Sequence, residues 1–158
     1  HDSGESGMKP EMKRNIIEIL QEKGRVFISS EEKLPPEWES MKVSIPSEKM
    51  HDALYYTSLL IGDSQTMAAE AAVLGTPNIR ISTFIDRISY LNELENRYGL
   101  TRAFHPTRDE AIMKCLEDHL NNLDDIKAAY HDKRLILEKD KQNITDWFLE
   151  RITCAGFA

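Results

Sequence analysis

Short apolar runs alternate along the chain with longer stretches whose apolar residues recur every three or four positions. Val26-Phe27-Ile28, Val43-Ser44-Ile45, Leu59-Leu60-Ile61 and the segment from Thr101 to Phe104 predict short strands over 26–29, 43–45, 59–61 and 101–104. Asn78-Ile79-Arg80-Ile81-Ser82 alternates apolar and polar residues and predicts a further strand over 78–82. Between these runs the period changes to that of a helix. Pro10 opens a helix striped by Ile16, Ile17 and Leu20 and ended by Gly24. A second helix starts at Pro46-Ser47, with Ser47 as its cap, and runs through Tyr56. Ile88, Leu91, Leu94 and Tyr98 mark a helix from about 86 to 98, stopped by Gly99. Thr107-Arg108-Asp109-Glu110 has the form of a capping box, 126–141 reads as a charged surface helix, and Asn143 caps a last helix carrying Ile144, Trp147, Phe148 and Ile152. Leu34-Pro35-Pro36-Glu37 reads as irregular, because adjacent prolines remove donors and fix the backbone. Strands alternating with helices predict an α/β fold, a Rossmann-like three-layer parallel sheet with helices on both faces, in a single domain over 1–158.

The segment from Leu59 to Pro77 carries most of the chemistry. A buried strand ends at Ile61, and Gly62, Asp63 and Ser64 turn the chain. Ser64 caps an alanine-rich helix that Gly75 stops and Pro77 bars from continuing. A helix that opens straight after a strand of a parallel sheet aims its free N–H groups into the crevice at the strand's carboxyl end, where anions such as phosphate bind. Ser64, Gln65 and Thr66 are therefore candidate phosphate-binding residues. Glu70 lies about 9 Å further along the axis, at ~1.5 Å per residue. A carboxylate among Ala68, Ala69, Ala71 and Ala72 sits where small residues permit close packing, so it calls for a partner such as a sugar hydroxyl. Asp63 reads as a residue that ties down its own turn, not as a base.

Composition narrows the function classes. Of the 158 residues 41% are hydrophobic and 30% charged, ordinary values for a globular chain. No apolar run approaches the roughly 18 residues of a membrane span. The formal net charge of −7 offers no general attraction to nucleic acid or acidic lipid. Cys115 and Cys154 have no metal-ligand spacing and read as reduced thiols of a cytoplasmic protein. The histidines form no metal motif and no serine sits in a nucleophile elbow, so neither a metal site nor acyl transfer is expected. His1-Asp2-Ser3-Gly4-Glu5-Ser6-Gly7 is a glycine- and serine-rich loop in which Gly4 and Gly7 supply backbone donors; it does not form a dinucleotide fingerprint.

The pattern Gly62-Asp63-Ser64-x-Thr66-Met67-x-x-Glu70-Ala71-x-x-Leu74-Gly75-Thr76-Pro77 resembles the donor-site helix of the GT-B superfamily, which holds nucleotide-sugar glycosyltransferases and the non-hydrolysing UDP-N-acetylglucosamine 2-epimerases. It is most similar to a family of uncharacterised bacterial and archaeal proteins related to those epimerases. His1-Asp2-Ser3-Gly4, the segment from Val26 to Glu31 and the segment from Ile45 to Tyr56 resemble the same family, so the similarity runs from residue 1 to about 83. The resemblance implies the C-terminal, donor-nucleotide half of a GT-B-type protein. It assigns phosphate binding to Ser64, Gln65 and Thr66, the ribose hydroxyls to Glu70, a border of the base pocket to the backbone from Pro46 to Met50, and contact with donor phosphate or sugar to His51. The loop bearing Gly4 would follow the first strand and face the phosphates. That strand is absent from the sequence, so the sheet is expected to lack its first strand, with the gap closed by rearrangement or by another chain segment in a homodimer.

The function implied is binding of a nucleotide sugar, a UDP-sugar first, in transfer or epimerisation within surface-polysaccharide biosynthesis. The acceptor domain would lie N-terminal to this segment, and the segment alone would bind without turnover. No cofactor or metal is implied and no catalytic residue is assigned. The alternative from another class is a nucleotide-sensing or protein-interaction module on a Rossmann-like scaffold.

Overall fold

The computed structural model describes residues 7–154. Its centre is a parallel sheet of three strands, β1 (Leu60–Gly62), β2 (Asn78–Ile81) and β3 (Arg102–Phe104), in the order β1-β2-β3. Ile61 lies opposite Ile79, and Ile79 opposite Arg102. Each step to the next strand passes through a helix: α3 (Gln65–Leu74) joins β1 to β2, and α4 (Ser89–Asn96) joins β2 to β3. Ahead of them come α1 (Pro10–Lys23) and α2 (Met50–Tyr56); behind them come α5 (Asp109–Asn121), α6 (Leu123–Asp140) and α7 (Ile144–Cys154).

Two apolar clusters cover the two faces. Ile79 and Ile81 of β2 are fully buried against Met12 and Ile16 of α1 and Ile112 and Leu116 of α5. Burying a side chain of that size contributes about 1.5–3 kcal/mol. On the other side Ala72 of α3 joins Leu91 and Leu94 of α4, Tyr98, Leu100, and Tyr130 and Leu137 of α6. The alternation in 78–82 thus sends Ile79 and Ile81 to one layer. Because helices cover both faces, Asn78, Arg80 and Ser82 are buried as well.

Several local expectations hold with their physics intact. Pro10 opens α1, where its missing N–H costs nothing, and Gly24 follows its last residue. Gly75 takes the left-handed conformation, φ 78°, and the Thr76 N–H returns to the Ala71 carbonyl. Gly99, φ 63°, ends the turn after α4 in the same way, with Leu100 N–H on the Leu94 carbonyl. Asn143 caps α7 by accepting from the Thr145 amide at 3.0 Å.

Others are corrected. Segments 26–29 and 43–45 do not form strands. They meet in one parallel bridge between Ile28 and Lys42, with Phe27 and Ile45 exposed. Val26, Ile28 and Val43 are only partly buried, too little cover to extend the pairing beyond the bridge. Pro36 starts a short 3₁₀ helix (Pro36–Met41), since a first turn needs no proline N–H. Ser47 is not a cap: a 3₁₀ turn (Ser47–Lys49) leads into α2, and Pro46 precedes it. Thr107 does not close a capping box, because its hydroxyl pairs with His105 Nδ1 at 2.8 Å. Among the described residues no helix is long and apolar enough to cross a membrane.

Candidate functional site

The β1–α3 junction is built as its residues dictate. Ser64 is extended, φ −72° and ψ 120°, and its Oγ accepts from the Met67 amide at 3.3 Å. That bond and the Ser64 carbonyl's bond from Ala68 leave the Gln65 and Thr66 amides as first-turn donors at the carboxyl end of β1. The Ser64 Oγ proton is free to donate in turn. Asp63, just before the cap, lies 3.6 Å from Lys13 Nζ of α1. A side chain at Gly7 would collide with Asp63, so the chain leading into α1 passes directly against this turn. Gly4 and the rest of the glycine-rich loop before Gly7 lie outside the described residues.

Glu70 faces α2. Its Oε1 lies 3.5 Å from His51 Nε2, with the Glu70 side chain one-third exposed and His51 mostly exposed. Two residues named separately from the sequence are thus brought together. The docking of α2 on α3 that does this rests partly on Thr76, a buried residue whose hydroxyl donates to the Leu54 carbonyl at 2.8 Å. The alanines beside Glu70 let α3 pack closely: Ala68, Ala71 and Ala72 are all buried, Ala72 in the cluster shared with α4 and α6. Pro46 precedes the turn that enters α2, and no contact of it with α3 is seen.

Arg80 is a residue that the sequence pattern did not single out. Its side chain is fully buried, and Nη1 donates to Gln65 Oε1 at 2.5 Å. Gln65 Nε2 in turn donates to the Asp63 carbonyl at 3.2 Å, so the amide bridges the turn and the guanidinium. On its other side Arg80 Nη2 lies 3.8 Å from Glu95 Oε2, close enough for charge attraction but too far for a hydrogen bond. Glu95 Oε1 is held by the Ala103 amide at 2.8 Å. Burial pushes the Arg80 pKa down, opposed by Glu95, Asp86 and Tyr90. The signal for Arg80 was present in the strand pattern: a cation at an alternating position of an interior parallel strand has no solvent face to occupy.

A cleft of about 260 Å³ opens at the opposite ends of β1 and β2, away from this junction, lined among others by Tyr55, Tyr56, Gly75, Thr76, Lys127 and His131. The carboxyl ends of α2 and α3 meet there, and exposed carbonyls disfavour an anion. Among the described residues no group of three or more His, Cys, Asp or Glu could hold a metal ion. Cys115 and Cys154 are unpaired. Cys115 Sγ lies 3.6 Å from His119 Nδ1, but burial raises the thiol pKa and lowers that of the imidazole, so the pair is neutral and not an activated nucleophile.

Comparison with known proteins gives no match to a family model, to a curated protein or to a solved structure.

Proposed function

We propose that the crevice at the β1–α3 junction binds the phosphates of a nucleotide sugar, a UDP-sugar by the resemblance of the motif to GT-B donor sites. In this reading the chain is the donor-binding part of a glycosyltransferase or sugar epimerase. The observation that carries it is the Ser64-capped start of α3 at the carboxyl end of a parallel strand, with Glu70 about one and a half turns along that helix and paired with His51 of α2. The free amides and the positive end of α3 favour phosphate oxygens. Glu70 accepts from ribose hydroxyls, and His51 beside it either donates to the ligand or holds the carboxylate in place. Charge on a departing diphosphate would be met by the helix end, the kind of fixed dipole that stabilises charge without reorganising.

The test is a titration of isotope-labelled protein with UDP, without added magnesium. The Gln65 and Thr66 amides are expected to shift first, followed by Glu70 and His51. Unmoved amides at millimolar UDP would remove the nucleotide-sugar reading.

A further inference from the structure

The Arg80 guanidinium is a buried cation with too few partners. Its side chain has no exposure, yet among the described residues Nε and Nη2 have no hydrogen-bond acceptor, and Nη1 is engaged by Gln65. A guanidinium offers five donors, and leaving them dry costs free energy that native structures normally recover through an anion or a network. Glu95 supplies charge but no hydrogen bond, and its Oε1 is committed to the Ala103 amide. The acceptor that does reach Arg80 is the carboxamide of the first residue of α3. Gln65 is half-buried, and its other amide atom holds only a turn carbonyl. A neutral carboxamide on a buried guanidinium occupies the position that a charged oxygen would fill more strongly.

We propose that Arg80 is the cationic floor of the anion site at the α3 N-terminus, and that Gln65 is a displaceable side chain standing where a phosphate oxygen of the ligand docks. This rests on the reading of the junction as a phosphate site and adds to it the residue that neutralises the charge. Rotation of Gln65 away from Arg80 frees Nη1, while the Gln65 and Thr66 amides at the start of α3 serve the remaining phosphate oxygens. The ligand class is a phosphate or diphosphate monoester. Lys13 is engaged with Asp63, so its use would break an ion pair to the turn, whereas Arg80 is already aimed at the first residue of α3.

The test follows the Arg80 Nε–H resonance and calorimetric affinity in the 158-residue chain with three probes: UDP, inorganic pyrophosphate and uridine. UDP and pyrophosphate should both move the Arg80 resonance, and uridine should not. Gln65→Ala removes the competing acceptor and should tighten UDP binding about fivefold, the worth of roughly one net hydrogen bond. Gln65→Glu places a permanent carboxylate on Arg80 and should weaken UDP roughly 10-fold or more while leaving the melting temperature equal or higher. Arg80→Lys should weaken UDP and pyrophosphate alike; should that variant fail to fold, the two Gln65 variants and the Arg80 resonance decide the matter. UDP that binds the parent chain with the Arg80 resonance unmoved and both Gln65 variants unchanged would overturn this role and leave the phosphate site at α3 standing. UDP and pyrophosphate that fail to bind the parent chain at all would overturn both.

Discussion

Ser64 has two tasks in the proposed site, and substitutions separate them. Its oxygen caps α3 and its proton is available to a ligand. Ser64→Ala loses the cap, worth about 1 kcal/mol. For a chain of this size that lowers the melting temperature by about 2–4 °C, readable by calorimetry. Ser64→Asp keeps a capping oxygen and adds a charge that the helix end welcomes, so the melt is held or raised. The same charge repels phosphate, and UDP affinity should drop by roughly 10-fold or more. Equal UDP affinity in the aspartate variant would mean that the ligand does not approach the helix end. Glu70 separates differently. An ionised carboxylate accepts charge-assisted hydrogen bonds worth about 1.5–3 kcal/mol each, whereas Glu70→Gln exchanges one acceptor for a donor. The expected result is UDP binding weakened about 10-fold or more. Within the fold the substitution weakens one solvent-accessible pair with His51, of the kind worth about 0–1 kcal/mol, so the melt should barely move. Unaltered affinity with a melt many degrees lower would make Glu70 a structural residue.

At the scale of the element, α5 carries a pH dependence of its own. His119 is buried, and its Nδ1 lies 2.7 Å from the Cys115 carbonyl one turn earlier. Burial pushes its pKa below the usual histidine value; Arg102 and Lys133 push the same way, while the carbonyl and Asp118 oppose. The unfolded chain therefore takes up the proton first as pH falls. Stability is complete above the ordinary histidine pKa of about 6.5 and declines as pH drops below it toward the folded-state value. Denaturant melts between about pH 7.5 and 5.5 should show this slope, and His119→Gln should flatten it. A variant slope equal to the parent's would place the titration elsewhere. The helices also show why local caps mislead. The hydroxyl of Thr107 was free in the sequence pattern but is taken by His105 in the fold, so α5 starts without a side-chain cap. Asp109 instead enters the first turn and lies 3.4 Å from Lys9.

Across the whole molecule, order is concentrated around β2. Every residue of β2 is buried, with a strand on either side and helices above and below, whereas β1 is only half-buried. Native-state hydrogen exchange should find the Ile79 and Ile81 amides at or near global stability, and the Ile28 and Val43 amides, which depend on one isolated bridge, orders of magnitude faster. Comparable protection at Ile28 and Ile79 would mean that the bridge belongs to a larger sheet than the three named strands. That outcome would support a strand joining the β1 edge, whether from the same chain or from a second copy.

The sequence by itself determined the features whose causes are local. Helix starts and stops at Pro10, Ser64, Gly75, Gly99 and Asn143 follow from proline's missing donor, a capping oxygen and glycine's access to positive φ, none of which needs a distant neighbour. The three strands of the sheet and the chain reversal into α3 were legible for the same reason, as was the α/β alternation. The tertiary structure decided what depends on cover. Val26–Ile28 and Val43–Ile45 have strand-like side chains, but none is fully buried and Phe27 and Ile45 are exposed, and strand formation is settled by packing more than by intrinsic preference. Glu70 and His51 are far apart in the chain, and only the seating of α2 on α3 makes them a pair. Arg80 looked like one polar position in an alternating strand. It became a buried cation on the first residue of α3 only once helices had closed both faces of the sheet, which is a property of the assembled layers and not of any segment.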